Sequence, residues 1–495
     1  METTQLPKPH LVVIPSPITS HIIPTVDIGC LLAAHGAPVT VITTPASAEL
    51  VQDRVQRAGQ GSSAGITVTA IPFPGAEAGL PDGCERLDHV PSVALLQKFF
   101  DATKLFGEPV ARHCRLMAPR RPNCIVAGMC NTWAHAMARE LGAPCFIFYG
   151  HGAFSSLCFE YLHTHRPQEA VASLDEPFDV PVLPPFEVKF SRRQLPVFFQ
   201  QSTNIKDGIL RGIREFDMAV DGIVVNSFEE LERDSAARLA VATGKAVLAV
   251  GPVSLCGAPS LLDSDSRAGT GSDEARRCVA WLDAKKARSV LYVSFGSNGR
   301  MPPAQLMQLG LALVSCPWPV LWVIKGADTL PDDVNEWLQH NTDGDGHSGL
   351  RQCLVVRGWA PQVPILEHPA IGGFLTHCGW GSTLESVAAG VPMATWPFFA
   401  EQFMNEKLIV DALGIGVSVG VTKPTENLLN GVKGEAKAEV GTEQVKRALN
   451  KLMDGGAEGE DRRSKARELK AKAKAALENG GSSYMNMEKL IQFAT

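Results

Sequence analysis

Residues 359–402 read WAPQVPILEHPAIGGFLTHCGWGSTLESVAAGVPMATWPFFAEQ, the part of the chain densest in side chains that do chemistry. At its centre the apolar run Ile371 to Leu375 passes through Thr376-His377-Cys378-Gly379-Trp380-Gly381-Ser382 into a helical pattern that ends at Gly390. This order predicts a strand, a glycine-bearing turn and a helix start. The first N–H groups of a helix have no partner within it and lie at the positive end of its dipole. Small residues let anionic oxygens approach them. A diphosphate is the natural guest. Taken one at a time the side chains are ordinary: Trp359 alone reads as a core indole, and Glu385 alone as a first-turn acid that favours the dipole.

In length and residue order the block resembles the plant secondary product glycosyltransferase box of family-one UDP-dependent glycosyltransferases. The resemblance implies a UDP-sugar donor. It implies that Trp359 stacks on uracil with Ala360 beside it among the UDP-binding positions, that Gln362 and Glu385 hold the ribose hydroxyls, and that His377 and Ser382 contact the diphosphate. Trp380, Glu401 and Gln402 would line the sugar pocket, and a closing Gln rather than His implies glucose. Ser297, in the loop Ser294-Phe295-Gly296-Ser297, matches a further phosphate contact. One position departs from the pattern: the family usually has Asn where this chain has Gly381. A glycine still offers its backbone N–H, so weaker donor binding is expected rather than none.

A second constellation lies near the N-terminus. After the apolar run Leu11–Ile14 comes Pro15-Ser16-Pro17-Ile18-Thr19-Ser20-His21-Ile22-Ile23-Pro24, with a helical run predicted from about Thr25. His21 is thereby expected on a loop at the carboxyl end of a strand, where open α/β sheets place ligands. It resembles the family's catalytic His in the pattern Gly-His-x-x-Pro, with Ser20 in place of the glycine. An imidazole titrates near neutrality and can take the proton of a phenol or alcohol as that oxygen attacks a sugar. The reaction implied is one inverting displacement with UDP leaving, and it requires no metal or other cofactor.

The family orients that His through an Asp in the segment Cys124-Ile125-Val126-Ala127-Gly128-Met129-Cys130-Asn131-Thr132-Trp133, and here Gly128 takes the Asp position. Without a carboxylate the ring loses its fixed tautomer and the imidazolium loses a partner. Three readings stay open: Asn131, a water or another acid orients His21; the acceptor is acidic or nucleophilic enough to need little help, an electron-rich aromatic carbon included; or activity is low. On the first reading Asn131 supports the ring; if His21 is merely under-supported, Gly128→Asp would restore activity.

The elements that must position these residues follow from periodicity. Short β-rich runs at Leu11–Ile14, Val39–Thr43, Ile66–Ile71, Cys124–Val126, Cys145–Phe148, Ile223–Val225 and Ala246–Val250 alternate with helical segments. The pattern restarts at Ser289–Ser294, Val320–Ile324, Cys353–Val356, Gly373–Leu375, Met393–Thr395 and Gly416–Val419. The fold class expected is α/β, two doubly wound Rossmann-like domains. The first spans 1–254, residues 255–272 link the two, and 273–483 form the second; the resemblance implies that the first binds the acceptor, that the second binds the UDP-sugar and that a C-terminal helix at 484–495 completes the first. The resemblance implies the GT-B arrangement, with the chemistry in a cleft. The proline-bearing stretch Arg166 to Phe199 carries Phe178, Phe186, Phe190, Phe198 and Phe199, and serves either as an acceptor loop or as packing.

Bulk composition narrows the partners. The 495 residues suit two domains, and a net charge of −6 argues against nucleic acid or an anionic membrane. The run RRSKARELKAKAK, Arg462 to Lys474, alternates with acids and reads as a solvated helix face. No stretch reaches the roughly 18 apolar residues of a membrane span, and METTQLPKPH lacks a secretory core, so a cytoplasmic protein is expected, acting as a monomer on a UDP-sugar and a small acceptor. The 12 cysteines show no metal spacing and read as reduced, buried thiols.

Rival motifs are weak. Gly61-Ser62-Ser63-Ala64-Gly65 fits GxSxG but precedes a strand instead of following one. The triplets Asp263-Ser264-Asp265 and Asp343-Gly344-Asp345 lie in loop-like sequence, and no GxGxxG follows the first strand. The rival from another class is a sugar-nucleotide-binding protein with little catalysis, motivated by Gly128 and Gly381 together.

Overall fold

The computed structural model describes residues 8–58, 65–117, 120–200, 204–255, 272–296, 299–326, 330–342, 353–425 and 438–495. Ser297, both Asp-x-Asp triplets, most of the GxSxG stretch and nearly all of the 255–272 linker lie outside the described residues.

The chain forms two compact units. One comprises Met1–His165, Gln201–Ala258 and Ala473–Thr495; the other comprises Arg166–Gln200 and Pro259–Lys472. In chain order the strands up to residue 249 are β1 (Leu11–Ile14), β2 (Val39–Thr43), β3 (Ile66–Ala70), β4 (Cys124–Gly128), β5 (Cys145–Tyr149), β6 (Pro177–Asp179), β7 (Lys189–Ser191), β8 (Gly222–Val225) and β9 (Ala246–Ala249). Seven of them make a parallel sheet in the order β3-β2-β1-β4-β5-β8-β9. The order reverses between β1 and β4, and such a reversal opens a crevice at the carboxyl ends of the two strands.

In the second unit β10 (Val290–Ser294), β11 (Val320–Ile324), β12 (Cys353–Arg357), β13 (Ile371–Thr376), β14 (Met393–Thr395) and β15 (Gly416–Ser418) pair in the order β12-β11-β10-β13-β14-β15, also in parallel. Its reversal lies between β10 and β13. Every strand predicted from the sequence exists, with ends moved by a residue or two.

The central strands are buried on both faces, as covered parallel sheets require, and so read as continuous apolar runs. Phe146 and Phe148 of β5 pack with Leu11 and Val13 of β1 in the first core. Met487 and Leu490 of the helix Ser482–Gln492 join that core, and Asn486 Nδ2 donates to the Ala249 carbonyl at 3.0 Å. The return of the chain is therefore held by apolar burial and by hydrogen bonds.

The stretch 166–200 groups with the second unit. Its strands β6 and β7 form an antiparallel hairpin with Phe178 opposite Phe190, both buried, which is a packing role; Phe186 is exposed. The described cysteines are free thiols, most of them buried. Among the described residues no helix is long and apolar enough to cross a membrane.

Candidate active site

The second sheet's reversal point carries the predicted nucleotide residues. β13 ends at Thr376, Cys378 adopts a left-handed conformation (φ 63°), and the helix Trp380–Ala389 starts behind Gly379. Left-handed backbone is strained for a non-glycine residue, and Asn405, which the sequence did not single out, holds the turn by donating Nδ2 to the Cys378 carbonyl at 2.8 Å.

His377 projects between two glycines. A Cβ on Gly296 would lie 2.5 Å from its Cε1, and one on Gly379 would lie 2.4 Å from its Nε2. Neither position tolerates a side chain while the ring stays. Burial pulls the His377 pKa down to about 4, so the ring is neutral at pH 7, and its buried Nδ1 has no hydrogen-bond partner among the described residues. Gly299 lies against Phe398, where a Cβ would fall 2.8 Å from the ring, and that ring stacks on Phe295 at 5.1 Å.

The helix's first turn meets Gln362. Gln362 Nε2 donates to Ser382 Oγ at 2.9 Å and to Glu385 Oε2 at 2.7 Å, while its Oε1 accepts from the Tyr292 hydroxyl at 3.3 Å. Three residues predicted as nucleotide contacts thus form one network, and Tyr292, unmarked in the sequence, anchors it from inside β10. Trp359 follows Gly358, whose φ of 124° no other residue adopts easily, and is 65% exposed. It is no core indole: a large flat apolar face stands in solvent beside buried Ala360. Gly381 lies on the exposed side of the first turn in helical conformation, and a Cβ there would meet nothing within 4 Å.

Trp380 is buried at the helix start. Glu401 and Gln402 follow left-handed Ala400 (φ 53°) at the start of the helix Gln402–Lys407. Gln402 Oε1 accepts from the backbone N–H groups of Phe398 (2.8 Å) and Phe399 (3.1 Å), so its carbonyl end is spent on the turn and its amide nitrogen is the end suited to a ligand. Burial raises the Glu401 carboxyl above its usual range.

In the first unit the structure corrects the sequence reading of His21. The helix begins at Thr19, not near Thr25, and His21 sits in its first turn. The start was hidden because its cap comes from far along the chain: the Asp88 carboxylate accepts from Thr19 N (3.2 Å) and Thr19 Oγ1 (2.7 Å). The His21 ring lies over Gly150, just past β5, where a Cβ would fall 2.6 Å from Nδ1. That Nδ1 is buried and unpartnered, and burial pulls the pKa of the ring down to about 4.

Gly128 ends β4 and is packed shut. A Cβ there would lie 2.4 Å from both the backbone nitrogen and the Oγ of Ser16, so the glycine has no room for a carboxylate. The amide nitrogen of Asn131 is engaged elsewhere: Nδ2 donates to the Ile14 and Pro15 carbonyls, each at 3.1 Å. Through Nδ2 it fixes the backbone leading to His21, so of the alternatives left open for orienting the imidazole its amide nitrogen is not the group that does so.

The comparisons agree with this geometry. The family described as UDP-glucoronosyl and UDP-glucosyl transferase matches residues 262–447. UDP-glycosyltransferase 73D1 of Arabidopsis thaliana is 40% identical across 98% of this chain and 96% of its own. The chain belongs to the plant UDP-glycosyltransferases. The transferase is also 38% identical to UDP-glucose flavonoid 3-O-glucosyltransferase 7 of Fragaria ananassa, covering 99% of this chain and 97% of that one. A crystal structure of Glycyrrhiza uralensis UGT73P12 complexed with glycyrrhetinic acid 3-O-monoglucuronide superposes with a TM-score of 0.84 at 34% identity, covering 98% of this chain and 96% of that chain. The two Rossmann-like sheets of the transferase are those of the GT-B fold.

Proposed function

We propose that the transferase moves a sugar, glucose foremost, from a UDP-sugar to a small lipophilic plant metabolite such as a flavonoid, another phenolic or a terpenoid, with inversion and in the cytosol. The network Gln362–Ser382–Glu385 beside an exposed Trp359 carries this reading, because it sets hydrogen-bonding groups and a stacking face next to a helix N-terminus. On this reading Trp359 and Ala360 receive the uracil and Gln362 with Glu385 the ribose. His377, Gly381, Ser382 and Ser297 receive the diphosphate, and Trp380, Glu401 and Gln402 the sugar.

The acceptor oxygen attacks the anomeric carbon as the bond from that carbon to the diphosphate breaks. The acceptor proton passes to His21, and charge gathering on the departing UDP is met by the helix N-terminus. The chemistry calls for no metal and a single chain suffices.

O-Glycosylation is the first reading. C-Glucosylation of an electron-rich ring is the second, favoured by one observation: the place of an orienting acid is closed at Gly128, so acceptors that need little help from a base suit the site. Incubation of UDP-glucose with a panel of phenols, flavonoids and terpenoid alcohols, read by UDP release and fragmentation mass spectrometry, tests both. His21→Ala should lower transfer by about 10² to 10⁴-fold with UDP binding intact. UDP binding with no transfer to any acceptor would point to a sugar-nucleotide-binding protein instead.

A further inference from the structure

His21 is not the only imidazole at the carboxyl edge of the first sheet. His151 follows Gly150, the residue on which the His21 ring rests, so both imidazoles lie just past the end of β5. His151 stacks on Tyr149 at 4.8 Å, meets Phe159 edge-on at 5.2 Å and is largely buried.

Its tautomer can be read from its neighbours. Ser156 Oγ lies 2.8 Å from the Gly152 carbonyl, which can only accept, so the hydroxyl hydrogen is committed there. Ser156 Oγ also lies 3.0 Å from His151 Nδ1 and must therefore accept from an Nδ1–H. The Gly152 carbonyl, 3.4 Å from Nδ1, favours the same assignment. Nε2 is left with the lone pair. The turn itself is rigid, because the buried Glu232 carboxylate accepts from the backbone N–H groups of Ala153 (3.1 Å) and Phe154 (2.8 Å). His21 lacks all of this: its Nδ1 has no partner among the described residues, and the position from which the family resemblance would have an acid serve it is closed by Ser16.

We propose that His151 is a second proton acceptor of the acceptor site, with Nε2 taking the proton of the attacking hydroxyl and Ser156 fixing the ring for that task. The proposal rests on the glycosyl-transfer reading above. For a hydroxyl that faces His151 rather than His21, the acceptor O–H bond breaks, its oxygen bonds to the anomeric carbon as the bond from that carbon to the diphosphate breaks, UDP departs with the electrons of that bond, and Nε2 of His151 holds the proton. The imidazolium that results keeps Nδ1–H on Ser156 Oγ, the arrangement by which a hydrogen-bonded Nδ1 supports a base acting through Nε2.

The test compares the wild type, His151→Phe, Ser156→Ala, His21→Ala and the double variant of the two histidines on 4-nitrophenol, 4-methylphenol and benzyl alcohol. A base matters most where the acceptor is least acidic. His151→Phe, which keeps a ring against Tyr149, should therefore lose about 10² to 10⁴-fold on benzyl alcohol and 4-methylphenol and much less on 4-nitrophenol. Ser156→Ala should show the same graded pattern in smaller measure, and the double variant should fall below His21→Ala. Unchanged circular dichroism and denaturation midpoint certify the fold of the substituted unit, and unchanged UDP affinity that of the other. A loss equal across the three acceptors, or none, would overturn the proposal while the transferase reading stood. A wild type that glycosylates none of the three or any wider panel would overturn both.

Discussion

Ser16 occupies the space that a side chain at Gly128 would need: its backbone nitrogen and its Oγ each lie 2.4 Å from the position of a Cβ at residue 128. Ser16 Oγ accepts from Cys130 N at 3.2 Å, so the two strand ends are joined by hydrogen bonding as well as by contact. The chain has not merely lost an acid beside His21; its backbone has closed over the place.

Gly128→Asp should therefore fail as a repair. Even with Ser16→Gly the backbone nitrogen remains in the way, so overpacking of about 1 to 3 kcal/mol is expected, seen as a lower denaturation midpoint with no gain in transfer to alcohols. Asn131→Ala should lower stability by about 1 kcal/mol for each carbonyl bond lost, and should slow transfer by loosening the backbone before His21. A Gly128→Asp enzyme as stable as wild type and faster on alcohols would contradict this packing.

Gly381→Asn meets no such obstacle, because the site is open and helical. Asn is the better helix residue by a few tenths of a kcal/mol and adds a side chain at the diphosphate position. Isothermal titration should show tighter UDP binding; unchanged or weaker affinity in a folded variant would mean that the side chain points away from the phosphates.

Glu385→Ala should weaken UDP and UDP-glucose alike, by about 1.5 to 3 kcal/mol for a hydrogen bond to a charged group. Gln362 holds Glu385 at 2.7 Å, so the two are one unit and their losses should not add. A double-mutant cycle measured by titration with UDP checks this, and additive losses would place the two residues on separate parts of the ligand.

Acid should destabilise the protein through three imidazoles, His151 buried and His21 and His377 partly buried. His21, His151 and His377 each have a pKa lowered by burial to about 4, against 6.5 for a free histidine. The unfolded chain takes up their protons first, so the stability they contribute is complete above about pH 6.5 and is lost as pH falls toward about 4. Each contributes a slope of up to about 1.4 kcal/mol per pH unit in that window. Denaturation midpoints of wild type and His377→Gln, compared between about pH 7 and pH 4.5, should converge as pH falls. Parallel curves would show that the His377 pKa is the same in the folded protein as in the unfolded chain.

Local patterns in the sequence were enough to place the strands and the helix start at Trp380, because apolar runs and glycine turns are short-range. The roles proposed for His21 and for the donor residues rest on family resemblance. Other features depend on residues far apart in the chain: Asp88 capping a helix 69 residues earlier, Ser16 closing Gly128, Tyr292 anchoring Gln362, and Gly150 under His21. No window of sequence holds both partners of any of these pairs. Whether Trp359 is a core indole or an exposed one, and whether a glycine is a vacancy or a contact, are likewise questions of what else fills the space, and the tertiary structure alone decides them.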